Sequence, residues 1–517
     1  MSMRRMRMRV AGMAVAIATV VATAGCGSGG GTNNAAGGDN DGTISIGSMF
    51  PPGTLDPTTG TQGSDLAYLN MVFDSLTQLN PSTAAVEPML ATSWKFVGAD
   101  KLALDVQLRH GVVFQDGTPF NAQAVVDYSN AFIKAGDIAN LLQYVTSVTA
   151  SGPYEVVYHL SQQNANLPFG LSGRAGMIPS PTAVKKEGKN FALHPVGTGP
   201  YSFTSETQGA SYSFTRFDKY WDDANVPRVK HVTFKIFQSD TALVNAIRSG
   251  NIQVAAHLAS QDVKTLKPVS NLTVDTAPST AFGLAYFNSA RKPLTDSKVR
   301  LAFNLALDRK SIADAVTDGL GQPTDQAVPK GLPGYSASSE PIFTYDPAKA
   351  KDLMQQAGYG NGVNMTCDVY PGLGFDIAGP IIIAEEKAIG INLKLVTISP
   401  AQVGPFFDNK ASAQCAFANY SGVGNPITAY QLIWSKAYYN AGKTDYGIDS
   451  YFDKFFSTYT SAGVNALTAQ ISAVEKTNPG YAPIFFAPLV NAFQNNIQGF
   501  VNSQLALNNL RGLHYKS

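Results

Sequence analysis

Few residues in this chain have the type and spacing to perform chemistry. Six histidines (His110, His159, His194, His231, His257 and His514) are scattered over 517 residues, with no pair at metal-ligand spacing. There is no His-Glu-x-x-His, no Gly-x-Ser-x-Gly and no Gly-x-x-x-x-Gly-Lys, so the helical zinc site, the nucleophile elbow and the phosphate loop are all missing. Gly197-Thr198-Gly199 runs straight into Pro200-Tyr201 and lacks the third glycine of a dinucleotide loop. It reads as a tight turn entering a strand at Tyr201–Phe203. No catalytic residue, metal site or cofactor is expected, and an enzyme is disfavoured. The remaining reactive groups are three thiols: Cys26, Cys367 and Cys415. Three cysteines are too few for a disulfide-dense scaffold. Cys367 and Cys415 are either bridged or two free thiols, and sequence separation does not decide between them. A bridge would contribute about 4 kcal/mol by closing a loop of roughly 48 residues.

Cys26 has a different setting. Arg4, Arg5, Arg7 and Arg9 precede an uncharged, mostly apolar stretch from Val10 to Ala24, the pattern of a secretion leader. That stretch is shorter than the ~20 residues a membrane-spanning helix needs. It ends in Thr23-Ala24-Gly25-Cys26, which resembles the bacterial lipobox, where cleavage precedes a cysteine that receives a thioether-linked lipid. The Gly-, Ser- and Asn-rich run that follows has too little apolar surface to fold and reads as a flexible tether. A working domain on a tether at a membrane surface is therefore expected, outside the cytoplasm, on the outer face of the cytoplasmic membrane or in the periplasm. Loss of the four leader arginines leaves 34 basic and 37 acidic side chains, a net of −3 in place of the full chain's +1. With 15% charged residues and no basic run, nucleic acid is an unsuitable partner.

The elements that would position a site alternate between strand and helix. Leu102, Leu104, Val106 and Leu108 follow the period-2 pattern of a half-buried strand. Asn121 is placed to cap a helix carrying Val125, Val126, Phe132 and Ile133 and ending near Gly136. Val232, Phe234 and Ile236 form another alternating strand, and Asp240 is expected to cap the next helix, which stops at Gly250. Val299, Ala302, Phe303, Ala306 and Leu307 fit one helix face behind Thr295-Asp296. Asp346-Pro347 opens a further helix that ends near Gly358. The fold class is α/β, in several lobes.

The order of segments resembles the family 5 solute-binding proteins of bacterial ABC importers, the peptide/nickel-binding group. Val86-Glu87-Pro88-Met89-Leu90-Ala91-Thr92-Ser93-Trp94 is similar to the family's P-x-L-A-x-S-W segment. Leu108-Arg109-His110-Gly111-Val112-Val113-Phe114-Gln115-Asp116-Gly117-Thr118-Pro119-Phe120 is similar to L-R-x-G-V-x-F-x-D-G-x-P-F. Leu55-Asp56-Pro57, Phe73-Asp74-Ser75-Leu76, Pro195 to Tyr201, Tyr220-Trp221, Phe287-Asn288 and Val299 to Arg309 continue in family order. These segments read as structural, with Trp94 a core aromatic and Tyr220-Trp221 domain packing.

The resemblance implies a two-lobed periplasmic-binding-protein fold of type II, with a subdomain inserted in the first lobe. Its expected divisions are a leader 1–25, a tether 26–42, a first-lobe core of 43–74 with 194–287 and 487–517, an insert 75–193 and a second lobe 288–486. The chain is expected to cross between lobes near Tyr286–Arg291 and back near Pro483–Pro488. The implied function is capture of an oligopeptide or peptide-like small solute by a monomer that passes it to permease subunits in the membrane. In the peptide binders a loop ends in an Asp that pairs with the ligand ammonium; here Gly422 takes that place, and Asn419 takes the place of a Trp. The alternative ligand is an oligosaccharide or other neutral polar solute. Phe50, Phe417, Asn419, Tyr420, Ser421, Gly422, Trp434 and Tyr438 are the expected ligand contacts, with Tyr439 beside them, because aromatic faces with small polar donors suit such ligands.

Overall fold

The structure is a computed structural model that describes residues 42–60, 64–135, 139–370, 374–398, 403–420, 430, 439–501 and 510–516. Cys26, the leader and the tether up to residue 41 lie outside them, as do Ser421, Gly422, Trp434 and Tyr438. The body opens with β1 (Thr43–Ser48), buried on both faces as a strand inside a covered sheet must be. Helix α1 (Asp65–Val72) follows.

The chain then departs into the insert. A small ribbon of β2 (Thr77–Leu79) and β3 (Val86–Pro88) leads to β4 (Ala91–Val97) and β5 (Ala103–Leu108). Helix α2 (Ala122–Ala135) precedes the hairpin of β6 (Val145–Gly152) and β7 (Glu155–Leu160). Strands β4, β5, β7 and β6 form an antiparallel sheet in that order. Alternation along β5 buries Leu104, Val106 and Leu108, as the sequence pattern requires. The carboxamide oxygen of Asn121 accepts from the Ala124 N–H at 3.1 Å and starts α2 where the capping pattern put it.

The chain returns through β8 (Tyr201–Thr207), β9 (Ser211–Arg216), β10 (His231–Ile236), α3 (Asp240–Ser249) and β11 (Val254–Ala255). The N-cap of α3 is Ser239, whose hydroxyl accepts from the Ala242 N–H, and not Asp240. Ser239 has the extended backbone a cap needs, while Asp240 lies in the first turn, where its charge favours the helix dipole. Gly250 ends the helix at φ +78°.

β12 (Leu272–Phe287) leaves the first lobe for the second. There follow α4 (Ser297–Ala306), α5 (Arg309–Thr317), β13 (Gln322–Pro323), α6 (Pro347–Gln356), β14 (Val363–Val369), α7 (Phe375–Ala388), β15 (Ile391–Thr397), β16 (Cys415–Tyr420), α8 (Asp449–Phe456) and α9 (Ser461–Glu475). β17 (Tyr481–Gln494) brings the chain back.

One sheet runs through both lobes, in the order β15-β14-β16-β12-β17-β11-β1-β10-β9-β8, with β13 on the side of β17. The two long strands cross together. Pro278 pairs with Pro488 and Phe282 with Phe486, so Ser279, Thr280 and Ala281 stand opposite Ala487 alone. This bulge bends the pair, and the Ser279 hydroxyl donates to the Ala487 carbonyl at 2.7 Å to hold it. Beyond the bulge, Phe282 through Phe287 sit in the second-lobe cores. At Ser279–Ala281 the strand pair passes from the core of Leu272, Val490 and Ala492 to the core of Phe282, Leu284 and Tyr286. The apolar run that looked like first-lobe strand continues because the second lobe covers both of its faces.

The insert also touches the second lobe directly. The Ala165 N–H donates to the Phe456 carbonyl at 2.7 Å, and the Tyr144 and Phe456 rings meet edge to face at 5.1 Å. Tyr459 lies between Phe96, at 5.0 Å, and the Lys101 ammonium, 3.8 Å above its ring. Among the described residues no helix is long and apolar enough to cross a membrane.

Candidate functional site

The strand directions locate the site. β1 runs parallel to β10 and β11, and β11 is antiparallel to β17 with Ala255 opposite Ala492. The carboxyl ends of β1 and β11 therefore point along β17 toward the crossing. In the second lobe β14, β15 and β16 are parallel, and β16 is antiparallel to β12 with Tyr420 opposite Phe282. Their carboxyl ends point back toward the same crossing. Loops at the carboxyl ends of parallel strands, brought together between lobes, are where small ligands usually bind.

On the first-lobe side the loop after β1 is tied down backbone atom by backbone atom. The Phe50 N–H donates to the Ser48 hydroxyl at 3.1 Å, and its carbonyl accepts from the Tyr68 hydroxyl at 2.9 Å. The Gly53 N–H donates to Asp65, which forms a buried ion pair with Arg174, and Arg174 also donates to the Thr59 carbonyl. Burial raises the Tyr68 hydroxyl well above its usual range, so it stays a neutral donor. With its backbone fixed, Phe50 leaves its ring half exposed. That ring stands edge-on to His257, with centroids 6.3 Å apart. His257 follows the carboxyl end of β11 and takes a left-handed backbone, φ +57°. Its N–H donates to Oδ1 of the buried Asn491 at 3.2 Å.

The second-lobe side separates the expected contacts. Phe417 is fully buried between Phe303 and Phe375, at 6.3 and 5.4 Å, and belongs to the core rather than to the ligand. The alternation of β16 turns it to the helix-covered face of the sheet. Tyr420, at the strand's end, packs against Phe282 and edge-on to Tyr439. Desolvation pushes its hydroxyl upward, with Tyr439 adding to the effect. Asn419 Oδ1 and Thr280 Oγ1 are buried and have no hydrogen-bond partner among the described residues. Unsatisfied buried polar atoms beside a crossing are what a ligand would satisfy.

His257, Asn491 and Thr280 stand beside the crossing, and sequence reasoning did not single them out. His257 sits in the apolar run Val254-Ala255-Ala256-His257-Leu258 with no periodic signal. Asn491, a lone amide inside the apolar run Pro488 to Phe493, carried the one usable hint. Among the described residues no group of three or more His, Cys, Asp or Glu is placed to hold a metal ion.

Cys367 and Cys415 stand directly opposite each other on parallel β14 and β16, with Cα atoms 4.5 Å apart and the sulfurs joined. The bond lies in the second-lobe core, where both residues are fully buried.

Three of the segments that carried the family resemblance meet at Asp74. Its Oδ1 accepts from Arg511 at 2.6 Å and from the Tyr220 hydroxyl at 3.3 Å. Its Oδ2 accepts from Trp221 Nε1 at 2.6 Å and from Thr198 at 3.5 Å. The two turn glycines pack on the preceding backbone, and a Cβ on Gly199 would lie 2.5 Å from the Val72 carbonyl carbon.

Residues 85–466 match the family described as bacterial extracellular solute-binding proteins, family 5 Middle. The chain belongs to this family. Proteins of the family bind solutes for transport and are not enzymes. A glutathione-binding protein of Shigella flexneri is 30% identical over 329 residues, 63% of this chain and 63% of that protein, so the match spans just under two thirds of the relative's length. The counterpart from Shigella dysenteriae is 25% identical over 478 residues, covering 89% of this chain and 91% of its own. An ABC transporter substrate-binding protein, CtaP of Listeria monocytogenes, superposes with a TM-score of 0.82 at 22% identity, over 93% of this chain and all of that one. The family 5 fold is two-lobed, and one large sheet runs through the α/β body of this chain.

Proposed function

We propose that this family 5 protein captures a peptide-like solute between its lobes and passes it to the permease of an ABC importer, while held at the membrane by a lipid on Cys26. The observation that carries the reading is the convergence on one crossing of the parallel-strand ends of both lobes, where Asn419 Oδ1 and Thr280 Oγ1 have no hydrogen-bond partner among the described residues. Closure then needs only better contacts in the closed state than in the open one. Phe50, Asn419 and Tyr420 are the ligand contacts on described elements. Ser421, Gly422, Trp434 and Tyr438 complete the set on the segment after β16. The similarity to glutathione-binding proteins supports an oligopeptide-sized ligand carrying several amide groups.

The test is a thermal-shift screen of short peptides, their N-acetylated forms, glutathione and oligosaccharides. A ligand at a hundred times its Kd stabilises by about 2.7 kcal/mol. Peptides or glutathione should raise the melting temperature, and acetylation should leave the shift intact because Gly422 offers no ammonium partner. A response confined to oligosaccharides would overturn the peptide reading. The anchor is tested separately: Cys26→Ser should release the protein from membranes into the soluble fraction.

A further inference from the structure

The insert and the second lobe meet without strand pairing. Strands β4 to β7 form a sheet of their own, and none of them joins the through-running sheet. Phe456 ends α8 and is buried, yet it stands outside the second-lobe core that takes in Phe452 and Phe455. Insert residues lie against it: the Tyr144 ring edge to face, and the Ala165 N–H on its carbonyl. Further on, Tyr459 is held between the Phe96 ring and the Lys101 ammonium. From the β2–β3 ribbon, Ala84 is buried among second-lobe residues. Phe96 and Tyr144 are themselves packed on the core of the insert. The four-stranded sheet and the second lobe, each with its own core, therefore touch through these side chains and a main-chain hydrogen bond.

Lys101 and Tyr144 both hold a left-handed backbone, at φ +54° and +68°. A long or aromatic side chain is uncommon there, whereas glycine meets no steric conflict. Strained positions persist where they are put to use, and these two carry the side chains that reach Tyr459 and Phe456. The turn at Tyr144 is held by its carbonyl, which accepts from the Ser161 N–H at 2.8 Å, a bond that needs no ring.

We infer that Phe96, Lys101 and Tyr144 of the insert form a latch with Phe456 and Tyr459 of the second lobe, made when the lobes close on solute and broken when they part. The inference rests on the reading of capture between two lobes and gives the insert its part in it. A contact made only in the closed state favours that state whatever the solute. Solute leaves through the open state, so the latch slows release and leaves the rate of capture unchanged.

The test compares the intact wild-type protein with a Lys101→Gly/Tyr144→Gly double variant by stopped-flow release of glutathione and of trialanine. Loss of the ring pair and of the cation contact should speed release about tenfold, with the association rate unchanged. Glycine suits both left-handed backbones, so the melting temperature without solute should change little. Tyr144→Phe keeps the ring and should release at the wild-type rate. If the wild type binds a probe and the double variant releases it no faster, the latch is wrong while the peptide reading stands. If neither probe binds the wild type, the peptide reading falls, and X-ray scattering of the solute-free proteins decides the latch. A larger radius of gyration in the double variant than in the wild type supports it, and an equal one overturns it.

Discussion

Arg511 and Asp74, 437 positions apart, form a buried ion pair of 2.6 Å that fastens the last turn of the chain to the end of α1. Arg511 also donates to the Asn70 and Phe73 carbonyls, so a single guanidinium closes the first lobe over its own first helix. Removing one member of such a pair strands the other charge, at about 3–5 kcal/mol. Arg511→Met should lower stability by that amount in urea unfolding. Arg511→Met combined with Asp74→Asn should recover part of it. An Arg511→Met protein as stable as wild type would show that the pair does not hold the lobe.

Phe50 and Phe417 should behave oppositely, although sequence placed both at the ligand. Phe417→Ala empties a core position and should cost about 3–5 kcal/mol. Phe50→Ala removes a half-exposed ring and should change stability by less than about 0.5 kcal/mol. Its effect should appear in ligand affinity instead, and calorimetry on both variants beside urea unfolding separates the two roles.

The bond between Cys367 and Cys415 should be visible as two thiols that titrate in denaturant only after reduction. Replacing both with Ala should lower stability by about 4 kcal/mol, the loop-closure value for 48 residues. Two thiols that titrate without reductant would remove the bridge.

Two adjacent acids on α7 set a pH dependence. Burial, reinforced by the neighbouring Glu385, lifts the Glu386 carboxyl well above its ordinary range, and neither of its oxygens has a hydrogen-bond partner among the described residues. Burial also lifts Glu385 to about 7, opposed by the Asp308 N–H that it accepts. A carboxyl with a raised folded pKa is protonated in the native state before it is in the unfolded one. Its contribution to stability is full below about pH 4, the unfolded value, and is lost as pH rises toward the folded value. Melting temperature should therefore fall between pH 5 and pH 8 through these groups. Glu386→Met should flatten that fall and melt higher than wild type at pH 8. Equal slopes for variant and wild type would exclude Glu386 as the source.

Gly199→Ala tests the close approach behind the Gly197-Thr198-Gly199 turn. The added methyl meets fixed backbone of Val72 and Phe73, not a side chain that can swing away, and should destabilise by about 1–3 kcal/mol.

What the sequence could establish by itself was local or repeated. The period-2 run of β5, the Asn121 cap of α2, the Asp296 cap of α4 and the Asp346-Pro347 start of α6 depend on residues within a turn or two of one another. The family segments were equally legible, because their spacing is preserved whether or not their partners are known. Three matters needed the tertiary structure. That Asp74, Thr198, Tyr220, Trp221 and Arg511 are one cluster follows from side chains meeting across more than 400 residues, which no local pattern encodes. That Phe417 is core depends on which face of the sheet β16 turns it to, and that Phe50 is exposed depends on how the loop after β1 is held. The bulge at Ser279–Ala281 depends on strand register, since an apolar run looks the same whichever core buries it. His257 was one of six scattered histidines until β11, β17 and the loop after β1 placed its ring beside Phe50 and its backbone on Asn491.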